Sequence, residues 1–343
     1  MTQLSVAIIG TGNIAGGYDQ NKLPGDKGVY SHAGAYAANG MFALKTVFDT
    51  DPQRADAFCK YWKAESAARR IDDIYENFHD VVSVCTPDET HFDIVRTLVE
   101  RRCCKTVFVE KPAAAGAEKT EQLDRLARAA GINVVVNFQR RHEASHLRLR
   151  EEIAADRGKL LAVNGYYIKG LHHIGVTAVD TLTFLLGLPE AVLTYNRVLN
   201  QELGEYTYEF ILFFDHFNAT VKTVDTERHR YNYHIFEIDL LFADRRATFM
   251  DNSRLLRHAQ RGEYAYSGVT VLNDRAPSHE DTGMAQSMPA AAKYIFAVTS
   301  GEIAHTCNTL AESHNNALII DRIEESFRQD SSKLYFEPSK WKK

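Results

Sequence analysis

A glycine-rich loop near the N-terminus is the feature that most limits how this chain can fold. The run Gly10-Thr11-Gly12-Asn13-Ile14-Ala15 directly follows Ser5–Ile9, a short apolar, β-branched segment typical of a buried parallel strand. The spacing G-x-G-x-x-A permits a tight turn, a close approach of pyrophosphate to the backbone, and close packing of helix on strand. The loop therefore predicts a dinucleotide-binding βαβ unit, with the phosphates at the N-terminus of the next helix.

Further apolar runs continue this pattern and alternate with segments of helical spacing. Leu123, Leu126 and Ala127 share one helical face, and Gly131 follows where a helix would end. Strand–helix alternation at this spacing predicts an α/β Rossmann fold, a doubly wound parallel sheet with helices on both faces. The four additional strand candidates are Ala43–Phe48, Val81–Val84, Thr106–Val109 and Ile132–Val136.

An acidic residue at the end of the second run predicts which dinucleotide binds. Asp49 lies where these folds place a carboxylate on the adenosine ribose. The usual gap between the glycine loop and this acidic residue is about 20 residues. The gap here is longer, which is explained if Gly16–Ser31 is an insertion loop, because this segment is rich in Gly, Asp, Asn and Pro and has no helical period. A carboxylate repels the 2′-phosphate of NADP, which favours NAD, whereas the nearby Arg54 keeps NADP as the second choice.

The second half of the chain changes character. A length of 343 residues suggests two domains, and we predict the boundary near residue 138: a dinucleotide-binding domain over 1–137 and a second domain over 138–343. Tyr206–Asp215, Asn218–Val224 and His234–Phe242 predict strands of a large, open, mostly antiparallel sheet in an α+β domain. A helix near Leu310–Phe327 is expected to return to the first domain.

Composition excludes several classes of function. The net charge is −5, with no basic stripe of the kind that nucleic-acid binders carry. No apolar stretch approaches the roughly 18 residues of a membrane span, and the N-terminal segment lacks a basic region before its apolar run. The five cysteines are odd in number and two are adjacent, which favours reduced thiols and a cytoplasmic location.

Four short motifs carry a family resemblance. Val84-Cys85-Thr86-Pro87 ends the third run and is followed by His91. Glu110-Lys111-Pro112 ends the fourth, Asn137-Phe138-Gln139-Arg140-Arg141 follows the fifth, and a segment from His173 to Asp180 opens a helix ending at Gly187. Together with the glycine loop, these motifs resemble the Gfo/Idh/MocA oxidoreductases. The resemblance implies that the cofactor is also contacted by Cys85, Thr86, Pro87, His91, Glu110, Lys111 and Gln139.

The same resemblance implies a sugar, nucleotide-sugar or cyclitol substrate and a lysine that moves the proton. Lys111 follows a parallel strand, at the edge where open α/β sheets bind ligands, and a surface lysine in a turn is the alternative interpretation. Family members carry Asp, His and Asp where this chain has His173, Thr177 and Asp180. Because a threonine hydroxyl is no base near neutral pH, we expect proton transfer at Lys111 with His173 as the second group. The expected catalytic residues are Lys111, His173, Thr177 and Asp180, and the expected substrate ligands are Lys111, Arg141, Lys169, His172, His173, Thr177 and Asp180.

Alternatives remain at the level of function and of single motifs. The main hypothesis is an NAD(H)-dependent dehydrogenase or reductase acting on CH–OH groups; the others are a retained-NAD epimerase or eliminase, and a non-catalytic dinucleotide sensor. The His172–His173 pair is otherwise a helix N-terminal cap region. His142-Glu143-Ala144-Ser145-His146 spells the zinc pattern H-E-x-x-H without a distinctive third ligand, and His229 and His234 have a spacing unsuited to shared ligation, so no metal is expected. The resemblance also implies a homodimer or homotetramer through the open sheet.

Overall fold

The computed structural model describes residues 3–201, 203–224, 235–263 and 268–342. The chain forms two compact units, and neither is contiguous. The first comprises residues 1–142, 285–317 and 342–343, and the second comprises residues 143–284 and 318–341. The predicted boundary near residue 138 lies just before the chain enters the second unit, but the segment 285–317 belongs to the first unit and not to a continuous C-terminal domain.

Ten α-helices occur in the described residues, and capping side chains or glycines mark the ends of several of them. Ser31 and Asp51 cap two helices by accepting backbone N–H groups through their side chains. Gly131, at φ 69°, ends another. The helices are α1 (Tyr18–Gln20), α2 (His32–Asn39), α3 (Pro52–Trp62), α4 (Asp72–Tyr75), α5 (His91–Arg101), α6 (Gly116–Ala130), α7 (Ala144–Ala155), α8 (Val176–Leu186), α9 (Ser287–Thr299) and α10 (Leu310–Arg328).

A six-stranded parallel sheet forms the core of the first unit, which confirms the predicted Rossmann class. Its strand order is β3-β2-β1-β4-β5-β6, with the reversal of winding at β1. Val6, Ile8 and Ile9 in the central strand are fully buried, as expected for a strand covered on both faces. The strands are β1 (Leu4–Ile9), β2 (Phe42–Phe48), β3 (Ser66–Ala67), β4 (His79–Val84), β5 (Cys104–Val109) and β6 (Asn133–Val136). Only the two-residue β3 has no counterpart among the predicted runs.

The predicted insertion Gly16–Ser31 is partly helical, which corrects the expectation of a loop without helical period. A π-helical turn over Asn13–Gly17 continues into α1, so the connection to α2 spans residues 21–31. The buried carboxylate of Asp19 accepts hydrogen bonds from the backbone N–H groups of Tyr30 and Ser31. These contacts fold the end of the connection back onto its start, because one ionised group satisfies several donors.

A nine-stranded sheet forms the second unit and confirms the predicted large, mostly antiparallel sheet. Its order is β14-β13-β12-β11-β7-β10-β9-β8-β15, and the β10–β7 pair is parallel. In β11 buried and half-buried residues alternate, the period-two pattern of a sheet with one covered face. The strands are β7 (Leu160–Tyr167), β8 (Ala191–Asn200), β9 (Glu205–Phe213), β10 (Asn218–Lys222), β11 (Phe236–Phe242), β12 (Arg245–Met250), β13 (Leu255–Glu263), β14 (Thr270–Asp281) and β15 (Leu334–Tyr335).

Two further observations bear on the sequence expectations. All five cysteines are free thiols, and three of them are buried. Across the described ranges, we find no helix that combines the length and the apolar character needed to cross a membrane.

Candidate functional site

The carboxyl edge of the first sheet brings five predicted segments to one level. Cross-strand pairing aligns Ile9 with Phe48 and Val84, and Val84 with Val109, so their successors share one edge. Backbone hydrogen bonds continue past the strands: the amides of Gly10, Cys85, Glu110 and Asn137 donate to neighbouring strand carbonyls at 2.8, 2.8, 3.0 and 2.8 Å. This edge, at a reversal of strand order, is where open α/β sheets bind ligands.

The glycine loop has the geometry its sequence predicts. Gly10 has φ +87°, and a Cβ on it would lie 2.7 Å from the carbonyl oxygen of Cys85. Both conditions require glycine at this position. Ala15 is fully buried, in agreement with the small residue expected for close packing of helix on strand. Asn13 and Ile14 begin the helical turn, so their N–H groups lie in the first turn, where anions bind.

The second glycine leaves room for a ligand above the loop. A Cβ on Gly12 would meet a single heavy atom within 4 Å, Nη2 of Arg54 at 3.8 Å. The backbone of Gly12 is extended and is therefore open to any residue on conformational grounds. Glycine at this position therefore keeps the space over the loop open, and that space fits a pyrophosphate bound against the backbone.

Asp49 links the second strand to the glycine loop. One carboxylate oxygen accepts hydrogen bonds from the backbone N–H of Thr11 at 2.9 Å and from its hydroxyl at 2.7 Å. The other accepts the N–H of Asp51 at 3.0 Å. Burial raises the pKa of Asp49, but these hydrogen bonds and the charge of Arg54 lower it more, so the net shift is downward. An ionised Asp49 therefore holds the loop in addition to any contact with a ribose.

A cavity of about 330 Å³ is lined by Thr11, the residue that bonds to this carboxylate. Arg54 and Tyr61 of α3 also line it. Its walls combine an aromatic ring, a guanidinium and polar side chains, a combination that suits the adenosine end of a dinucleotide. The remaining lining residues are Gln20, Ala57 and Phe58.

Glu110 and Lys111 follow β5 and connect to a buried polar network that sequence reasoning missed. Glu110 accepts hydrogen bonds from Nε2 of His32 at 2.9 Å and from Nδ2 of Asn137 at 2.5 Å. Burial alone would raise the pKa of Glu110, but the bond from His32 and its charge, then the bond from Asn137 and the charge of Lys111, lower it overall. His32 lies at the start of α2 outside any motif, so no signal in the sequence singles it out.

The segment after β4 is held from behind by His91. Its Nε2 lies 2.8 Å from the carbonyl oxygen of Thr86, and its Nδ1 lies 2.7 Å from that of Pro112. His91 is fully buried, so it fixes the Thr86 and Lys111–Pro112 segments and presents no surface to a ligand. Pro87, in contrast, is exposed at the edge. The backbone carbonyl of Cys85 lies against Gly10. Burial, with a contribution from the charge of Glu110, raises the pKa of the buried Cys85 thiol well above its usual range.

Arg141, expected to bind substrate, is engaged inside the first unit. It is 5% exposed and forms an ion pair with Glu312 of α10. A charge buried in this way stabilises the segment that carries it, because separating the pair would leave an uncompensated charge. Arg141 therefore has a structural contact with Glu312, and its role as a substrate ligand stays a prediction. Gln139, half-buried, begins the short helical turn that contains Arg141.

The predicted catalytic segment of the second unit forms one helical face. A π-helical turn over Gly170–Gly175 leads into α8. His173 is exposed, Thr177 is half-buried and Asp180 is 1% exposed, and their spacing of four and three residues aligns them along the helix. Lys169, at φ 67°, precedes the turn.

His172, the neighbour of His173, contacts α10. Its Nε2 lies 3.1 Å from a carboxylate oxygen of Glu324. This hydrogen bond raises the pKa of His172, against the opposing effect of burial. The backbone N–H of His172 also donates to Glu205, so two acidic side chains fix the turn.

The H-E-x-x-H pattern does not form a zinc site. His142 lies in the turn before α7 and its Nε2 accepts a hydrogen bond from Asn308, whereas His146 lies within α7 and pairs with Glu143. The two histidines therefore do not share one helix, which the zinc geometry requires. Within the described ranges, no group of three or more His, Cys, Asp or Glu side chains is arranged to hold a metal ion. His229 and His234 lie outside those ranges.

Comparison with known proteins agrees with this geometry. Residues 4–138 match the family model described as an oxidoreductase family with an NAD-binding Rossmann fold. Inositol 2-dehydrogenase of Rhizobium meliloti (strain 1021) is 30% identical over 130 residues, 38% of each chain. D-glucoside 3-dehydrogenase of Escherichia coli (strain K12) is 28% identical over 222 residues, 59% of each chain. The matched stretches thus span about two fifths and three fifths of these relatives.

Solved structures extend the likeness of fold to nearly the whole chain. Levoglucosan dehydrogenase in complex with NADH and levoglucosan superposes with a TM-score of 0.75 at 19% identity, covering 97% of this chain and 99% of that one. The open space over Gly12, the first-turn amides and Asp49 fit the NAD-binding Rossmann fold of the matching family. Residues 4–138 of the first unit therefore resemble the NAD-binding domain of the Gfo/Idh/MocA oxidoreductases.

Proposed function

We propose that this protein is an NAD(H)-dependent oxidoreductase that acts on a CH–OH group of a sugar or cyclitol, or on the corresponding ketone. The observation that carries the proposal is the alignment of the glycine loop, Asp49 and the Glu110–Lys111 pair at one edge of the parallel sheet. The names of the relatives, an inositol dehydrogenase and a glucoside dehydrogenase, support this substrate class and do not favour the epimerase, eliminase or sensor alternatives.

The geometry of the first unit supports a specific set of cofactor contacts. The backbone of Gly12 and the N–H groups of Asn13 and Ile14 bind the pyrophosphate, and Asp49 binds the adenosine ribose. Thr86, Pro87 and Gln139 remain candidate contacts at the same edge, while Cys85 and His91 support it from below. When bound, the nicotinamide supplies the chemistry of hydride transfer. NAD is the preferred cofactor because Asp49 is ionised; Arg54, bordering the adjacent cavity, leaves room for NADP.

Lys111 accepts the hydroxyl proton during oxidation and returns it during reduction. Its amine is an effective acid–base group only if it exchanges a proton near working pH, and the ionised Glu110 preceding it influences that balance. In this proposal His173 and Thr177 orient the substrate, with Lys169 and His172 at the preceding turn, and the buried Asp180 supports them from within α8. Thr177 donates or accepts a hydrogen bond and does not act as a base.

The assembly and location of the protein belong to the same proposal. Tyr166 and Tyr195, on two strands of the nine-stranded sheet, are 42% and 37% exposed. Apolar area of this kind on an open sheet supports a homodimer or homotetramer formed through that sheet. The protein is proposed to be cytoplasmic, in keeping with its five free thiols.

A substrate panel with a matched variant tests the proposal. NADH formation is followed with inositols, glucosides, levoglucosan and nucleotide-sugars, first with NAD and then with NADP. Lys111→Ala should lose turnover on any active substrate while its NAD affinity changes less than about threefold, equivalent to under 1 kcal/mol. NAD binding without turnover on any member would contradict the proposed activity. Turnover that survives in Lys111→Ala would contradict the role of Lys111.

A further inference from the structure

A chain of buried polar side chains leads from α2 to Glu110, and the reaction proposed above does not use it. Nε2 of His32 lies 2.9 Å from Oε1 of Glu110, and Nδ1 of His32 lies 3.1 Å from the hydroxyl of Ser83. That hydroxyl lies 2.6 Å from the hydroxyl of Tyr36. His32 and Ser83 are fully buried and Tyr36 is 3% exposed. Packing of the core does not require polar side chains at these three positions, and yet all three are polar and lead to one carboxylate.

The carboxylate of Glu110 determines the direction of the hydrogen bonds in this series of side chains. An ionised carboxylate only accepts, so Nε2 of His32 carries the hydrogen that it donates to Glu110. On the other side of the ring, Nδ1 of His32 lies 3.1 Å from the hydroxyl of Ser83. Burial raises the pKa of Tyr36, so its hydroxyl stays protonated and can donate to Ser83.

The charged and titratable groups around Glu110 come from several elements. His32 approaches from α2, Asn137 from the segment after β6, and Lys111 follows in the chain. Cys85 follows β4. Burial, and then the negative charge of Glu110, raise the pKa of its thiol and keep the thiol neutral. Lys111 is therefore the cationic neighbour that the charge of Glu110 acts upon.

We propose that His32 is a positioning residue for proton transfer at Lys111. Its Nε2–H holds the Glu110 carboxylate in place and takes up part of its charge, and this sets the pH at which Lys111 releases its proton. The inference rests on the proposed function insofar as it gives that pH a catalytic meaning. The contact itself, and its effect on Lys111, are testable without any substrate.

Two substitutions at His32 separate the contact with Glu110 from simple packing. Glutamine reaches the position of Nε2 and can still donate to Glu110, whereas asparagine reaches only the position of Nδ1. Both lose the imidazole ring, whose centroid lies 4.2 Å from that of Phe108 at an interplanar angle of 34°. His79→Asn is the matched control, because His79 is a buried histidine (4% exposed) at the opposite end of β4. The measured quantity is the pH at which acylation of Lys111 by a limiting amount of an amine-reactive reagent is half-maximal. The extent of acylation is read by mass spectrometry on the ligand-free protein.

His32→Asn should raise this midpoint by about one pH unit, since a carboxylate without a charge-assisted hydrogen bond holds the ammonium more strongly. His32→Gln and His79→Asn should leave the midpoint within about 0.3 of a pH unit. In a Glu110→Gln background, His32→Asn should produce no further shift, because the charge on which His32 acts is gone. Equal shifts for the glutamine and asparagine variants, or a shift that persists without Glu110, would overturn the inference.

A second measurement needs no substitution and so does not depend on the variants folding. Nitrogen-15 spectra of the wild-type protein report the tautomer of His32, which should carry its hydrogen on Nε2. A hydrogen on Nδ1 alone would overturn the inference, because Nε2 could not then donate to Glu110. If a substrate is found, the pH profile of kcat/KM should move with the acylation midpoint while KM stays constant. If no substrate turns over, the proposed function fails, and the acylation and tautomer results still decide the role of His32.

Discussion

Replacing Asp49 by alanine tests both the glycine loop and the choice of cofactor. The change removes a carboxylate oxygen that accepts two hydrogen bonds from Thr11, at 2.9 and 2.7 Å. Hydrogen bonds to charged groups contribute about 1.5–3 kcal/mol each. In the proposed complex the same carboxylate also accepts the ribose hydroxyls, and it orders the loop that binds the pyrophosphate. Because water can replace part of these bonds in a half-exposed site, we expect a net loss of about 2–3 kcal/mol in NAD binding, or roughly 30- to 150-fold in Kd.

The same variant should bind NADP with a smaller loss. The 2′-phosphate no longer meets a carboxylate, and Arg54 remains at the border of the cavity. The ratio of the two affinities should therefore move toward NADP by about tenfold or more, which is roughly 1.4 kcal/mol. Calorimetric titration of the ligand-free protein with each dinucleotide measures both Kd values.

Asp51→Ala is the matched control for this experiment. Asp51 caps α3 by accepting the N–H of Gln53 at 2.9 Å, and its own backbone N–H, which alanine retains, donates to Asp49. The control should cost about 1 kcal/mol of stability and leave NAD affinity unchanged. If Asp49→Ala weakens NAD binding less than about threefold, or leaves the NAD to NADP ratio unaltered, the role given to Asp49 is refuted.

Two further predictions concern the first unit. Gly12→Ala should fold normally and lose NAD affinity by at least tenfold, or about 1.4 kcal/mol, since its Cβ points into open space; Gly10→Ala should lower the melting temperature, since its Cβ would lie 2.7 Å from a carbonyl oxygen at φ +87°. Equal effects of the two on stability would contradict the division of roles within the loop. Separately, burial and then the charge of Arg141 lower the pKa of His142 to about 4. The folded state favours the neutral ring of His142. This preference contributes fully to the free energy of unfolding above about pH 6.5, and about 3 kcal/mol of that free energy is lost as the pH falls toward 4. Denaturant unfolding of His142→Gln at both ends of this range should show that much less acid sensitivity than the wild type, and identical sensitivity would refute the assignment.

Local patterns in the sequence predict most of the first sheet and the loop above it. The apolar runs after Ser5 and Thr106, for example, form strands within two residues of the expected bounds. Periodicity succeeds there because a strand buried on both faces needs unbroken apolar residues. The glycine spacing succeeds because backbone conformation and close approach restrict the residue at each position. The sequence did not predict the helical start of the insertion, because the glycines and polar residues at Gly16–Gln20 give no helical period.

Contacts between distant parts of the chain account for what the sequence did not predict. Arg141 belongs to a motif that implies a ligand, but the return of the segment 285–317 to the first unit supplies Glu312, 171 residues away, as its partner. His142 and His146 fit a zinc spacing, but the start of α7 after Glu143 separates them. In each case the residue types were read correctly, and the three-dimensional neighbour decided their role.

Sequence patterns alone predict the fold class, the dinucleotide loop, the acidic residue after β2 and the lysine after β5, because each depends on residues close together in the chain or on the regular spacing of strands. The pairing of Asp49 with Thr11, and of His32 with Glu110 across 78 residues, becomes visible only in the folded chain. No local propensity encodes such pairs. Each arises because a buried polar group must find a partner, and the packing of the strands and helices determines which partner is within reach.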